Sequence, residues 1–327
     1  MMALNNPQDY GPARNGSPGS LAGRNYLGTT AVFSAGGTVQ HSVDAASQPD
    51  QDNSQLLKRI AGLPPFPTIA LRLLAISTES ETAFSDYEDA YKADPASAMA
   101  LLQAANSCEF GLRARVDSIR QALTLLGLDR VNALSVTIAM KYYMREAPRV
   151  KIIQPMWSHS IASAVIAETL GSFRGSSMSG LYTAGLVHDV GRLGLLMGTE
   201  NRYAKLLAQP VSGVDEGVAL ERGQFGLTHP EAGTIMAKSW GFPALLCNAI
   251  RYHHEEEGQR ADERLRLVQV ACRCACALGY GEHGDSRQCA TAGRFELPPD
   301  LRGRPTLDLD RLRQRIIKLL FTISAPS

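Results

Sequence analysis

The residues able to do chemistry are concentrated around one stretch. Leu181 to Leu196 reads LYTAGLVHDVGRLGLL, an apolar run carrying His188 and Asp189 side by side. A helix face this apolar belongs in a core, where a carboxylate is costly unless it is paired or holds a cation. Four more histidines, His159, His229, His253 and His254, fall between residues 159 and 254, so five of the chain's seven lie in under a third of its length. Imidazole nitrogens with a carboxylate are the ligands that a first-row divalent metal prefers, and several helices together assemble such sites. The chemistry indicated is therefore metal binding, of one or two ions of iron, manganese or zinc. A metal-free alternative stays open, in which His188 and Asp189 satisfy each other and the helix ends as a hydrogen-bonded polar core.

Composition narrows the remaining choices. A chain of 327 residues with 44% hydrophobic residues can bury one large core or two modest ones. Lys and Arg total 33 against 32 Asp and Glu, without a basic stripe, which disfavours bulk nucleic-acid binding. No window approaches the 18 uninterrupted apolar residues that mark a membrane span, and the expectation is a soluble, cytoplasmic chain with no membrane partner. The six cysteines form no C-x-x-C pair, so reduced thiols are expected, with Cys272 and Cys276 as small core residues.

The elements that must position these residues read as helices. Residues 1–54 lack periodicity and are rich in Gly, Ser, Asn, Gln, Ala and Asp, as in a disordered tail. A helical run from Gln55 meets Leu63-Pro-Pro-Phe-Pro67, which forces a hinge or cap. Beyond it Ile69, Leu73 and Ile76 begin a helical pattern, and Asp94-Pro95 is a helix start whose helix turns Met99, Leu102 and Ala105 to one side. Gly127 separates Ile119 to Leu126 from Leu128 to Tyr142. After a break at Pro148 to Pro155, a helix from Trp157 to Leu170 closes at Gly171 and carries His159 with Ala162, Ser163 and Ile166. Adjacent helical residues diverge by about 100°, so His188 and Asp189 reach one ion most easily at a helix end, which Gly191 offers.

Thr228-His-Pro-Glu231 reads as a capping box that puts His229 at a helix N-terminus. The next helix opens at Pro243 and ends in Tyr252-His253-His254-Glu255, and another runs from Glu263 to Leu278. A last amphipathic helix spans about Leu309 to Ile323, with a basic face of Arg311, Arg313, Arg315 and Lys318. The fold class is all-α. The division is a disordered tail (1–54), an N-terminal helical part (55–147), a helical bundle (148–280), and a loop with the C-terminal helix (281–327).

Several of these motifs together resemble the HDOD domain, a bacterial relative of the HD phosphohydrolases. They are Leu63-Pro-Pro-Phe-Pro67, Asp94-Pro95, Ala104-Ala-Asn-Ser107, IRQALTLLG from Ile119, Ala184-Gly-Leu-Val-His-Asp-Val-Gly-Arg192, His229, Trp240 to Pro243 and His253-His254. The resemblance covers roughly Gln55 to Gly279. It implies an N-terminal helical subdomain packed on an HD-like bundle, acting in bacterial signal transduction, with metal ligands at His159, His188, Asp189, His229, His253 and His254. Departures accompany it. Cys272 stands where HD enzymes carry a late Asp, Arg192 replaces the Lys typical of HD-GYP enzymes, and no Gly-Tyr-Pro segment follows His254. The favoured reading is a non-catalytic regulatory module that binds partner proteins or a small nucleotide ligand. The competing one is a metal-dependent phosphohydrolase acting on a nucleotide or cyclic dinucleotide, with Arg192 or Lys205 holding phosphate.

Overall fold

A computed structural model describes residues 48–107, 115–148, 151–174, 178–255, 262–281 and 309–324, which are helical with no strand. The expected tail up to residue 47, and most of the loop before the last helix, lie outside the described residues. The first helix, α1 (Gln48–Ala61), begins seven residues earlier than the expected start at Gln55, and to that extent corrects the tail boundary at 54. Residues 48–54, QPDQDNS, have no apolar periodicity that would betray a helix in the sequence. Although the division at 55 groups it with the N-terminal part, α1 packs on the bundle through Leu56 and Ile60.

Helices α2 (Thr68–Ala75), α3 (Ala83–Lys92), α4 (Pro95–Ala105), α5 (Ile119–Leu126) and α6 (Leu128–Arg145) build a small core of their own around Leu73, Tyr87, Tyr91, Leu101 and Leu123. The expected punctuation is present. Asp94 Oδ1 accepts from Ser97 N–H at 3.0 Å, and Gly127 sits at φ 79° between α5 and α6. Met99 departs from expectation: it is 58% exposed, and the buried face of α4 is Leu101 and Ala105. Long α6 belongs to both cores, giving Val131 and Leu134 to the small one and Val136, Met140 and Tyr143 to the large one. The proline-rich link acts as the cap rather than the hinge. Phe66 is buried with ring centroids 5.9 Å from Tyr143, 5.2 Å from Trp240 and 5.4 Å from Phe242, so aromatic packing ties the two parts together.

The bundle centres on α7 (Ile153–Ser172), which starts four residues before the expected Trp157 and runs through Gly171. Its sequence is apolar nearly all round, as a helix packed on every side requires. Around it stand α8 (Leu181–Val187), α9 (Val190–Gly198), α10 (Arg202–Leu207), α11 (Val214–Phe225), α12 (His229–Ser239), α13 (Ala244–Tyr252) and α14 (Glu263–Ala277). The last helix, α15 (Leu309–Ser324), lays Leu312, Ile316 and Leu319 on this core, and its Arg315 pairs with Glu168 of α7. No single described helix is long and apolar enough to cross a membrane.

Two close helix approaches fix the backbone on either side of the His-Asp pair. A Cβ on Gly185 would lie 2.7 Å from Ser163 O and 2.9 Å from Ala164 Cα, so α8 rests on the backbone of α7. A Cβ on Gly191 would lie 1.8 Å from His229 O and 2.4 Å from Gly233 N, so α9 rests on the start of α12. Only glycine permits such contact.

Candidate metal centre

The helix end expected near the His-Asp pair falls at Asp189 itself. α8 stops at Val187, Asp189 leaves helical geometry at φ −100°, ψ 14°, and α9 begins at Val190. Gly191 has a different use, the close approach to α12. This break overcomes the divergence of adjacent helical side chains, leaving His188 Nε2 3.4 Å from Asp189 Oδ2. The Asp189 side chain makes no capping hydrogen bond to α9, so both oxygens face the histidines, while the α9 dipole favours its negative charge.

Five imidazoles from four places converge on that carboxylate. His159 comes from α7, His188 from the α8–α9 break, His229 from the start of α12, and His253 and His254 from the end of α13. Oδ1 lies 3.0 Å from His253 Nε2 and 3.1 Å from His229 Nε2, and His254 Nε2 is 3.0 Å from His229 Nε2. Oδ2 lies 3.4 Å from His188 Nε2 and 3.5 Å from His159 Nε2. Asp189 thus bridges two sets of donors, His229, His253 and His254 on one side and His159 and His188 on the other, the second joined by Cys272 of α14.

Tautomers are set by the outer partners. His159 Nδ1 is 2.8 Å from Tyr280 O, His188 Nδ1 2.7 Å from Gly185 O, and His253 Nδ1 2.9 Å from Ile250 O. A carbonyl only accepts, so each Nδ1 carries the proton. His229 Nδ1 donates likewise to Glu221 Oε2 at 2.7 Å. In neutral rings the four Nε2 atoms therefore present lone pairs inward, with His159 and His188 Nε2 3.3 Å apart and His229 and His253 Nε2 3.2 Å apart. Lone pairs at that spacing repel unless a cation lies between them. An outer N–H bonded to a carbonyl or carboxylate is how proteins orient metal-binding imidazoles.

Electrostatics make the same demand. Asp189 and Glu221 bring two negative charges and Arg192 one positive, all buried, leaving a net negative cluster. Burial would raise both carboxyls, but the opposing groups win. The Arg192 guanidinium and the surrounding imidazoles hold Asp189 well below its usual range. His229, Arg192 and Tyr203 hold Glu221 down at about 2. Burial pushes His188 down to about 3, against the pull of Asp189. At His229 burial and Arg192 oppose a positive charge, yet Glu221 and Asp189 raise its pKa; a proton or a metal ion meets the same need. Asp189 Oδ2 accepts no hydrogen bond although its atom is buried. The donor set therefore fits a divalent ion.

All six expected ligands are brought together. The two expected phosphate holders sit differently, one buried beside the cluster and one exposed. Arg192 is 5% exposed, donates to Tyr203 Oη at 3.0 Å and Glu221 Oε1 at 3.3 Å, and lies 3.4 Å from Asp189 Oδ2 through Nε. A guanidinium so engaged supports the site from behind. Lys205 is exposed on α10. Sequence reasoning missed Glu221, which holds both His229 Nδ1 and His229 N–H, the latter at 2.8 Å, and accepts from Tyr203 Oη at 2.6 Å. The available signal was Arg192 itself, a charge in an apolar run that requires a buried partner.

A family model of the HDOD domain matches residues 63–256, more than half of the chain. Over 218 residues the chain is 21% identical to an uncharacterized protein of Treponema pallidum (strain Nichols), a match covering 66% of this chain and 42% of that protein. The chain therefore spans less than half the length of that relative. The fold is similar to that of a Marinobacter aquaeolei VT8 protein provisionally assigned to signal transduction, at 20% identity and TM-score 0.63, covering 84% of this chain and 66% of that one. It is also similar to that of a Shewanella amazonensis SB2B protein provisionally assigned as a phosphohydrolase, at 20% identity and TM-score 0.58, covering 83% and 96%. Identities this low carry the all-helical fold and nothing further. With the motifs, the bundle and the family match in agreement, the chain belongs to the HDOD domain family.

Proposed function

We propose that this chain is a regulatory HDOD module of signal transduction whose bundle holds divalent metal and which acts by binding, to a partner protein or a small nucleotide ligand, rather than by hydrolysis. The observation that carries the metal reading is the convergence of four tautomer-fixed Nε2 atoms on the two oxygens of Asp189. His159, His188, His229, His253, His254 and Asp189 would hold one or two ions, and a bound ion would neutralise the cluster and polarise any water or phosphate oxygen reaching it. Burial argues for a structural and regulatory use: every ligand except His254 is buried, and closed coordination is the mark of structural sites. Metal at this point would brace α7, α8, α9, α12 and α13 and so fix the surfaces they present.

A second reading, phosphoester hydrolysis, is favoured by the bridging carboxylate, since paired ions around a shared carboxylate suit in-line displacement. The naming of the Shewanella neighbour accords with it. One experiment separates the two. The metal-loaded chain is assayed with bis(p-nitrophenyl) phosphate and with linear and cyclic dinucleotides, beside His188→Ala and Asp189→Ala. The regulatory reading expects no metal-dependent turnover above the variants; turnover abolished by either variant would replace it with the hydrolase.

A further inference from the structure

We infer that Cys272 is a metal ligand, and that its thiolate, with His159, His188 and Asp189 Oδ2, forms a four-ligand tetrahedral site that selects zinc over magnesium and calcium. The inference rests on the metal-centre reading above and deepens it by giving the two sides of Asp189 different chemistry. Cys272 is buried on α14 with Sγ 3.6 Å from His159 Nε2. Asp189 Oδ2 is the independent observation: a carboxylate oxygen with a side chain 3% exposed that lies 3.4 Å from both His188 Nε2 and Arg192 Nε yet accepts no hydrogen bond.

Four of the six edges of a coordination tetrahedron can be read directly from these donors. With metal–nitrogen or metal–oxygen bonds of about 2.05 Å and a metal–sulfur bond of about 2.3 Å, its N···N and N···O edges are about 3.35 Å and its N···S edges about 3.55 Å. The structure has His159 Nε2 to His188 Nε2 at 3.3 Å, Asp189 Oδ2 to the same two atoms at 3.5 and 3.4 Å, and Cys272 Sγ to His159 Nε2 at 3.6 Å. On the other side of Asp189 the donor spacings are 3.0 to 3.2 Å. Thiolate is a soft donor that suits zinc, whereas magnesium and calcium take oxygen ligands. Cysteine at 272 in place of a carboxylate thus turns this half of the centre towards a closed zinc site that ties α14 to α7 and α8.

The test uses the full chain, stripped of metal and reloaded. Cobalt(II) should give a near-ultraviolet thiolate-to-cobalt charge-transfer band that saturates at one equivalent and is abolished by zinc but not by magnesium. Cys272→Ser should remove the band and weaken zinc binding by at least the roughly 10–100-fold that loss of an outer partner costs. Cys276→Ser, whose Sγ lies 4.0 Å from His159 Nδ1, should keep the band. X-ray absorption of the zinc-loaded wild-type chain needs no variant to fold and should find one sulfur at about 2.3 Å. Stoichiometric metal with only nitrogen and oxygen ligands would overturn the role of Cys272 while leaving a metal centre. Failure to bind any ion would overturn both.

Discussion

Glu221→Gln changes no side-chain volume and removes one charge, so it isolates the support behind the metal centre. Glu221 accepts from His229 Nδ1, His229 N–H and Tyr203 Oη and pairs with Arg192. The amide leaves the Arg192 guanidinium with a buried partner lost, which costs about 3–5 kcal/mol. The acid limb of stability gives a second route to the magnitude. Folding lowers the Glu221 pKa from 4.5 to about 2, a displacement worth about 3 kcal/mol. Because the folded value is the lower one, this stabilisation is complete above pH 4.5 and is lost as pH falls towards 2. Urea denaturation of metal-free protein between pH 7 and pH 3 should show the variant about 3 kcal/mol less stable at pH 7, with the gap closing towards the acid end. Zinc affinity should drop by about 10–100-fold, since an amide has one accepting oxygen where Glu221 accepts from both His229 and Tyr203, and it lacks the charge that makes His229 a better ligand. A variant within about 0.5 kcal/mol of wild type at pH 7, the scatter of ordinary surface changes, with unchanged zinc affinity, would refute the assignment of Glu221.

Further perturbations reach other parts of the molecule. Gly191→Ala puts a methyl where His229 O and Gly233 N already stand, so it should cost about 1–3 kcal/mol by overpacking and weaken metal binding by shifting His229; an unchanged melting temperature and affinity would contradict the close approach. Phe66→Ala empties the aromatic junction between the N-terminal core and the bundle and should cost about 3–5 kcal/mol in chemical denaturation, whereas a loss below about 1 kcal/mol would mean the link is a hinge after all. Free zinc at 100 times its Kd should add about 2.7 kcal/mol of stability, raising the melting temperature by about 5–10 °C. Chelator should reverse the rise, and the His188→Ala, Asp189→Ala double variant should not respond.

Much of this fold is legible because its helix ends are written in local chemistry. Asp94-Pro95, Gly127 and Thr228 with Glu231 each satisfy or release backbone groups within a few residues, and the Thr228 N–H indeed donates to Glu231 Oε2 at 3.1 Å. The histidine cluster is legible because a charge in an apolar run must be answered. Which group answers it is not. Glu221 sits in α11 among Asp215, Glu216 and Arg222, and only the packing of α11 on the bundle selects the one carboxylate that turns inward. Met99 fails for the converse reason: α4 is apolar on several faces, so periodicity cannot say which face meets α5 and α6. Gly191 reads as a helix stop, but its purpose is contact with α12, a long-range fact with no local signature. Cys272 can be aligned by resemblance, while the direction of its thiol depends on how α14 crosses α7.

The central claim is a buried metal centre at Asp189, and elemental analysis tests it most directly. The full chain is purified without chelator and without oxygen beside the His188→Ala, Asp189→Ala double variant, each then incubated with iron, manganese and zinc and desalted. Near-stoichiometric metal is expected in the wild type, and its loss in the variant. A wild-type chain that retains no ion after any of the three incubations would contradict the claim and leave the histidines as a polar core.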